Sequence, residues 1–428
     1  MKNLYIFVAD YICGAGGVQA YVSSKTQYLI EHKWQVATIH QDYSRNILFQ
    51  NLREVKDYCF ESLLYYPFLL NGKKVNNAVM RMEEFILEGS IQYGLIVVES
   101  YGEASSYWAE ALSKRIQAKH IIILLGEAYN RPPGIEKLGE WYGLYDFKYR
   151  RGELGGGVAL KNLFGDYRTI TEADYRPFWI SESPVADVDN EKVEAIQQYD
   201  FNICHIGRIA KGYVPHAMEG VRAFSATHPD KQIQLIFVGQ IDDRRKEIQK
   251  IFSDTPNLTL TELEDVVPIP RQLFNKVDVV IGCSGSARHS AVEKVPDVAV
   301  ATNGFSNGLL GYETKESIYP AEKQWLVEEV LERALIQRVW ENMPFDFTTR
   351  SVAECCEQNF EFIRNSAQDK VYYPEEKLLA SPAGVGWIRW FKTYLIINHA
   401  SLAKLLIDIK HASVKMLRKR KSATKDGQ

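Results

Sequence analysis

Two cations stand where a buried apolar run gives way to a helix. Residues 203–206 (Ile-Cys-His-Ile) end in Gly207-Arg208, and Lys211-Gly212 follows at once. Val214, Ala217, Met218, Val221 and Phe224 then recur at three- and four-residue spacing, which is one face of a helix. His228-Pro229-Asp230 breaks that pattern, and Ile233 to Val238, closed by Gly239, reads as a second buried strand. This is a βαβ unit, and open α/β sheets bind ligands at the carboxyl ends of their strands. A guanidinium fork beside an ammonium at a helix start suits a diphosphate. The competing reading is an ordinary loop with two solvated cations.

Two further stretches could meet an anion. Leu4 to Val8 reads as a first strand, and a helix runs from Val18 to about His32. Between them lies a loop containing Gly14, Gly16 and Gly17, which lets backbone amides approach a ligand. Later, Asp278 to Ile281 is a buried strand, followed by Gly282-Cys-Ser284-Gly285-Ser286 and a helix that carries Glu293. Two serines and a glycine before a helix offer free amides, a positive dipole end and hydroxyl donors. Glu293 also reads as a plain surface carboxylate.

The spacing around Gly207 resembles the second half of retaining GT-B-fold glycosyltransferases, the large family that includes sucrose- and polysaccharide-assembling enzymes. There a strand ends in Gly-Arg, a Lys-Gly follows, then a helix, then a strand ending in Val-Gly; here Lys211 comes about two residues early. Gly16 and Gly17 match that family's Gly-Gly loop, which faces donor phosphate and acceptor across the interdomain cleft. The resemblance implies a donor site made by Arg208, Lys211, Gly16, Gly17, Ser284, Gly285, Ser286 and Glu293, with the first two stabilising the departing diphosphate. It implies transfer from a nucleotide sugar to a saccharide or lipid-linked acceptor, with retention and with no metal or cofactor. Bacterial surface polysaccharide or glycoconjugate assembly is the setting it suggests.

The chain departs from that pattern in two places. The family carries two glutamates eight residues apart; Glu293 aligns with the second across a gap, and the first falls on Gly285. Members also carry a His at strand ends where this chain has Glu99, Ser100 and Tyr101, and then Gly126 and Glu127. Two alternatives therefore stay open: a weakened subunit that binds nucleotide sugar or a partner enzyme, and a nucleotide-sugar epimerase of the same fold. His40 and the pair Arg150-Arg151 read as solvated loop residues.

The elements that would position these groups fill 428 residues, enough for two domains with separate cores. The expected class is α/β: two doubly wound Rossmann-like domains facing across a cleft, at 1–185 and 200–365, with a hinge near 183–200. The tail, 366–428, is expected to be a basic amphipathic helical appendage. From Gly386 onward ten Lys/Arg and two Asp give +8, while the net charge of the whole chain is −3. Trp387, Ile388, Phe391, Tyr394 and Leu395 share a helical face, as do Leu402, Leu405, Leu406 and Ile409. Such helices lie on anionic membranes, or else pack on the body.

Six cysteines without Cys-x-x-Cys spacing suggest a reducing, cytoplasmic setting, with Cys204 and Cys283 in the core. No signal peptide, spanning apolar run, nucleophilic triad, metal-ligand spacing or nucleic-acid motif is visible. The segment from Gln41 to about Gly89 contains helical and aromatic pieces that periodicity does not place.

Overall fold

The computed structural model describes residues 1–14, 16–41, 47–63, 65–70, 72–87, 92–125, 143–165, 168–175, 185–241, 244–264 and 266–379, together with 391 and 395. Residues 126–142, 176–184 and nearly all of the tail beyond 379 lie outside them. So do Gly126, Glu127 and the expected tail helices.

Two six-stranded sheets organise the chain. The first holds β1 (Lys2–Val8), β2 (Gln35–His40), β3 (Lys56–Cys59), β4 (Tyr93–Ser100), β5 (Lys119–Ile123) and β6 (Leu154–Gly155). Its order is β3-β2-β1-β4-β5-β6, and every pair is parallel. The second holds β7 (Phe201–Ile206), β8 (Ile233–Val238), β9 (Leu258–Leu263), β10 (Val279–Gly282), β11 (Asp297–Val300) and β12 (Ser306–Leu309). Its order, β12-β11-β10-β7-β8-β9, repeats the first, except that β12 runs antiparallel to β11.

Helices of the first unit are α1 (Gly17–Glu31), α2 (Gln50–Arg53), α3 (Gly72–Ile86), α4 (Glu103–Ile116), α5 (Gly143–Arg150) and α6 (Val158–Phe164). Those of the second are α7 (Glu191–Glu194), α8 (Val214–Thr227), α9 (Arg245–Ile251), α10 (Gly285–Val292) and α11 (Val327–Leu331). Two more, α12 (Val352–Asn365) and α13 (Glu375–Leu378), close the described chain.

Alternation explains the cores. On β7, Ile203 faces the α8 side with Val214, Ala217, Val221 and Phe224, while Cys204 and Ile206 face the opposite core with Ile236 and Val238. Strands buried on both faces read as continuous apolar runs, as these do. The first sheet is clothed likewise, by α3 and α4 on one side and α1 on the other.

Helix α3 fills part of the stretch that periodicity left unplaced. Its Val75, Val79, Met82 and Ile86 form the buried stripe. Between Trp325 and Asn342 the chain is not one continuous helix: α11 passes into a π turn over Glu332–Ile336, and a 3-10 turn follows at Val339–Asn342. Residues 185–196, within the expected hinge, join the second unit: Ala186 bridges Pro270, and Val193 and Ile196 are in its core.

The chain then returns to the first unit. Helix α12 starts at Ser351, whose hydroxyl caps Glu354 while the Glu354 carboxylate accepts from the Ser351 amide. Ile363 joins the α1-side core, and Tyr28 donates to Glu357 at 2.5 Å. Residues 366–379, expected at the start of the appendage, lie against the same unit. The Tyr373 amide donates to Glu110 at 2.6 Å, Tyr372 to the Ala118 carbonyl at 3.0 Å, and Leu378 is core. Among the described residues no helix is long and apolar enough to cross a membrane.

Candidate functional site

In each sheet the strand order reverses direction once at its middle, and such switch points open a crevice at the carboxyl edge. In the second sheet the switch lies between β7 and β10, which pair in register from Val279↔Ile203 to Ile281↔His205. The loops leaving these two strands carry Arg208 with Lys211, and Ser284 with Gly285 and Ser286. Folding thus brings five of the eight expected site residues to one edge.

The β7 loop is shaped by glycine. Gly207 sits at φ +141° and Gly239 at φ +137°, both outside what an L side chain adopts easily. A Cβ on Gly239 would lie 2.5 Å from the Gly207 carbonyl oxygen, so the two strand ends cross in close contact. Arg208 is exposed, and among the described residues it has no carboxylate partner. The Lys211 ammonium stands 5.7 Å from the centroid of the Tyr213 ring, beside the start of α8. Beneath them His205 is fully buried and donates its Nδ1 proton to the Ile281 carbonyl at 3.0 Å. Burial, and the Lys211 charge after it, bring this imidazole down to about 4, so it is neutral near pH 7.

The β10 loop turns as tightly. Ser284 takes φ +62° and donates its amide to Ser317 at 2.7 Å. A Cβ on Gly285 would meet nothing within 4 Å, which leaves the first turn of α10 open to an approaching group. The Ser286 hydroxyl accepts from the Cys283 amide at 3.1 Å and donates to the Cys283 carbonyl at 2.9 Å. That hydroxyl is engaged within the turn, so what this loop offers an anion is chiefly the first-turn amides and the dipole end of α10.

Glu293 is elsewhere. Helix α10 starts at the carboxyl end of β10 and runs back down the sheet, a descent of about 12 Å over its length. Glu293 is its C-cap, just before β11 begins, and pairs with Arg271 at 3.0 Å; Arg271 in turn pairs with Asp187 at 2.7 Å. The structure does not bring Glu293 to Arg208, because an eight-residue helix delivers its last residue to the amino edge. Glu293→Gln is therefore expected to leave nucleotide affinity unchanged and to cost under about 1 kcal/mol, the worth of a partly solvated pair. Calorimetric titration with nucleoside diphosphates, beside a urea melt, checks both.

In the first sheet the switch lies between β1 and β4. Gly14 takes φ +78°, Gly16 is the N-cap of α1, and Gly17 is its first residue with open space at its Cβ position. The Gln19 amide holds this loop by donating to the Tyr11 carbonyl at 3.1 Å.

Of the residues standing where the resemblance implies histidines, Glu99, Ser100 and Tyr101 are engaged in the core. Glu99 is fully buried and accepts from Tyr5, Tyr21 at 2.9 Å, Tyr101 and the Lys25 ammonium at 2.7 Å. Burial, then the Glu99 charge, pushes all three phenols well above their usual range. One strand residue on, Ser100 Oγ lies 2.9 Å from His120 Nε2, and His120 Nδ1 lies 2.6 Å from Glu110. This has the connectivity of a nucleophilic triad, which the sequence reading did not find. All three residues are 1% exposed or less, so no substrate reaches them in this arrangement. Burial alone would raise the Glu110 carboxyl, but Lys148 and His120 hold it at about 2. The set is a buried ionic brace between β4, α4, β5 and α5.

His40 is also buried, with Nε2 2.7 Å from Asp57. Arg150 pairs with Asp146 at 2.6 Å, and Arg151 with Glu153 at 3.1 Å and with Asp369. His40 and Arg151 are thus withdrawn from solvent, whereas Arg150, the last residue of α5, is solvated as expected, though on a helix rather than a loop. Among the described residues no group of three His, Cys, Asp or Glu side chains is placed to hold a metal ion.

No family model and no curated protein matches the chain. Solved structures do. A glycosyltransferase from Rickettsia africae superposes at TM-score 0.52 and 14% identity, over 85% of this chain and 99% of the other. The UDP-GlcNAc 2-epimerase of Neisseria meningitidis, bound to UDP-GlcNAc, gives 0.51 at 13% identity over 86% and 100%. Sucrose-phosphate synthase from Thermosynechococcus elongatus gives 0.51 at 14% identity over 86% and 95%. Matches that span nearly the whole of each of these chains, with two sheets of repeated order, show that this chain has the GT-B fold.

Proposed function

We propose that the protein is a glycosyltransferase that moves a sugar from a nucleotide-sugar donor to a saccharide or lipid-linked acceptor. The observation that carries this reading is the convergence of Arg208, Lys211 and the open first turn of α10 on the β7/β10 switch point. Two cations and a helix start neutralise the charge that develops on a departing diphosphate, and such stabilisation is the main demand of the reaction. The amides of Gly16 and Gly17 serve the same transfer from the first unit. The configuration at the anomeric carbon is retained, and no metal or further cofactor takes part. Incubation with a panel of nucleotide sugars and saccharide acceptors tests this: acceptor-dependent release of free nucleotide is expected, and release from none of them contradicts it.

The epimerase neighbour keeps a second reading in view, in which the same edge binds a nucleotide sugar and alters it without transfer. A changed sugar still attached to nucleotide would favour that reading.

The reading extends to bacterial surface polysaccharide or glycoconjugate assembly at the cytoplasmic face of a membrane, with residues 386–428 as the anchor. The tail's +8 balance and its Trp387 and Trp390 support this, since each Lys or Arg near an anionic leaflet contributes about 1 kcal/mol. Full-length protein is expected to co-sediment with vesicles containing anionic lipid at low salt and to leave them at high salt. A chain ending at 385 should stay in the supernatant. Equal binding by the two forms would contradict the anchor.

A further inference from the structure

The first sheet's switch point holds a carboxylate whose hydrogen bonding is incomplete. Asp10 lies two residues past the end of β1, where the glycine loop begins, and Gly102 is the N-cap of α4 just past the end of β4. The Asp10 carboxylate lies flat over Gly102: a Cβ there would be 2.2 and 2.3 Å from its two oxygens. It engages the Ser105 hydroxyl, and among the described residues its buried Oδ1 has no hydrogen-bond partner. Burial raises this carboxyl, and the neighbouring Glu103 raises it further; Tyr66 holds Glu103 at 2.6 Å. Tyr11, 46% exposed, stands next to Asp10 at the rim.

An ionised carboxylate only accepts hydrogen bonds, and leaving a buried one short of a donor is costly. Only glycine at 102 allows this placement, at the one edge of the sheet where its topology opens a crevice. A neutral hydroxyl supplies such a donor, whereas Glu103 beside it disfavours a second anion such as phosphate.

Resting on the glycosyl-transfer reading, we propose that Asp10 is a positioning residue for the acceptor, its Oδ1 accepting the hydrogen bond of an acceptor hydroxyl. The donor's diphosphate belongs to the cationic switch point of the second sheet, and the acceptor's hydroxyl to the acidic one of the first.

The test is Asp10→Asn, which keeps the shape and removes the charge. Transfer to the saccharide acceptor should fall at least 100-fold in kcat/KM, with a raised acceptor KM. The nucleoside diphosphate Kd should stay within twofold of wild type and Tm should be unchanged. Glu103→Gln gives a second readout. Among the described residues the groups facing Asp10 are Glu103 and the Ser105 hydroxyl, both from α4, so removing the Glu103 charge should move the acid limb of kcat/KM to lower pH. Transfer by Asp10→Asn within threefold of wild type overturns the inference. So does parallel loss of Tm and nucleotide affinity, or an acid limb unmoved in Glu103→Gln. Wild-type protein that transfers no sugar would instead overturn the transferase reading, and this inference with it.

Discussion

Arg208→Ala is expected to lower transfer about 100- to 1,000-fold, the usual cost of one well-placed donor to a developing charge. The guanidinium is exposed, so nothing in the core should answer to its loss, and Tm should hold. Lys211→Ala should behave similarly. The double variant should fall short of the product of the two, because both cations act on one diphosphate. A ligand that binds only the native state raises Tm, so nucleoside diphosphate should protect wild type against heat and protect each variant less. Undiminished transfer in both single variants would remove these residues from the site.

Lys25→Ala should have the largest effect on stability. The ammonium is 1% exposed and its partner Glu99, on β4, is fully buried beneath α1. Removing one member of a buried pair leaves the other charge uncompensated, at about 3–5 kcal/mol. Against a total of roughly 5–15 kcal/mol, that is a large fraction of the fold. Three phenols still donate to Glu99 in the variant, which favours the lower end of the range. Lys25→Met combined with Glu99→Gln should recover much of the loss, because no unpaired charge then remains. Urea unfolding of the three proteins reads this directly, and a single-variant loss below about 1 kcal/mol would contradict it.

The sequence displayed the second sheet's centre well because its information is local. Ile203–Ile206, the helix face from Val214 to Phe224 and the run Ile233–Val238 each declare their period within a dozen residues, and glycines mark their ends. The loop carrying Arg208 and Lys211 follows from the same pattern. Strands β3, β6 and β12 are four, two and four residues long, too short for alternation to show. Helix α3 was obscured by the polar run before Val79, although its stripe is regular.

The misplaced or missed groups were those whose partners are distant in sequence. Glu99 meets Lys25 across 74 residues, and Tyr373 meets Glu110 across 263. Spacing alone cannot report such pairs. Glu293 looked like a site residue because counting along the chain ignores the direction in which a helix runs. Asp10 carried a signal, a lone carboxylate directly after a buried strand, but its meaning depended on Gly102 lying across the crevice.

In the proposed reaction a sugar leaves its nucleotide and becomes joined to an acceptor. The most direct measurement uses nucleotide sugars isotopically labelled in the sugar, incubated with full-length protein and a saccharide or lipid-linked acceptor, and follows the label by mass spectrometry. The label is expected on the acceptor through a new glycosidic bond, with one free nucleotide released per sugar moved. Label found only on the nucleotide, as the original sugar or as its epimer, with every acceptor tried, would contradict it.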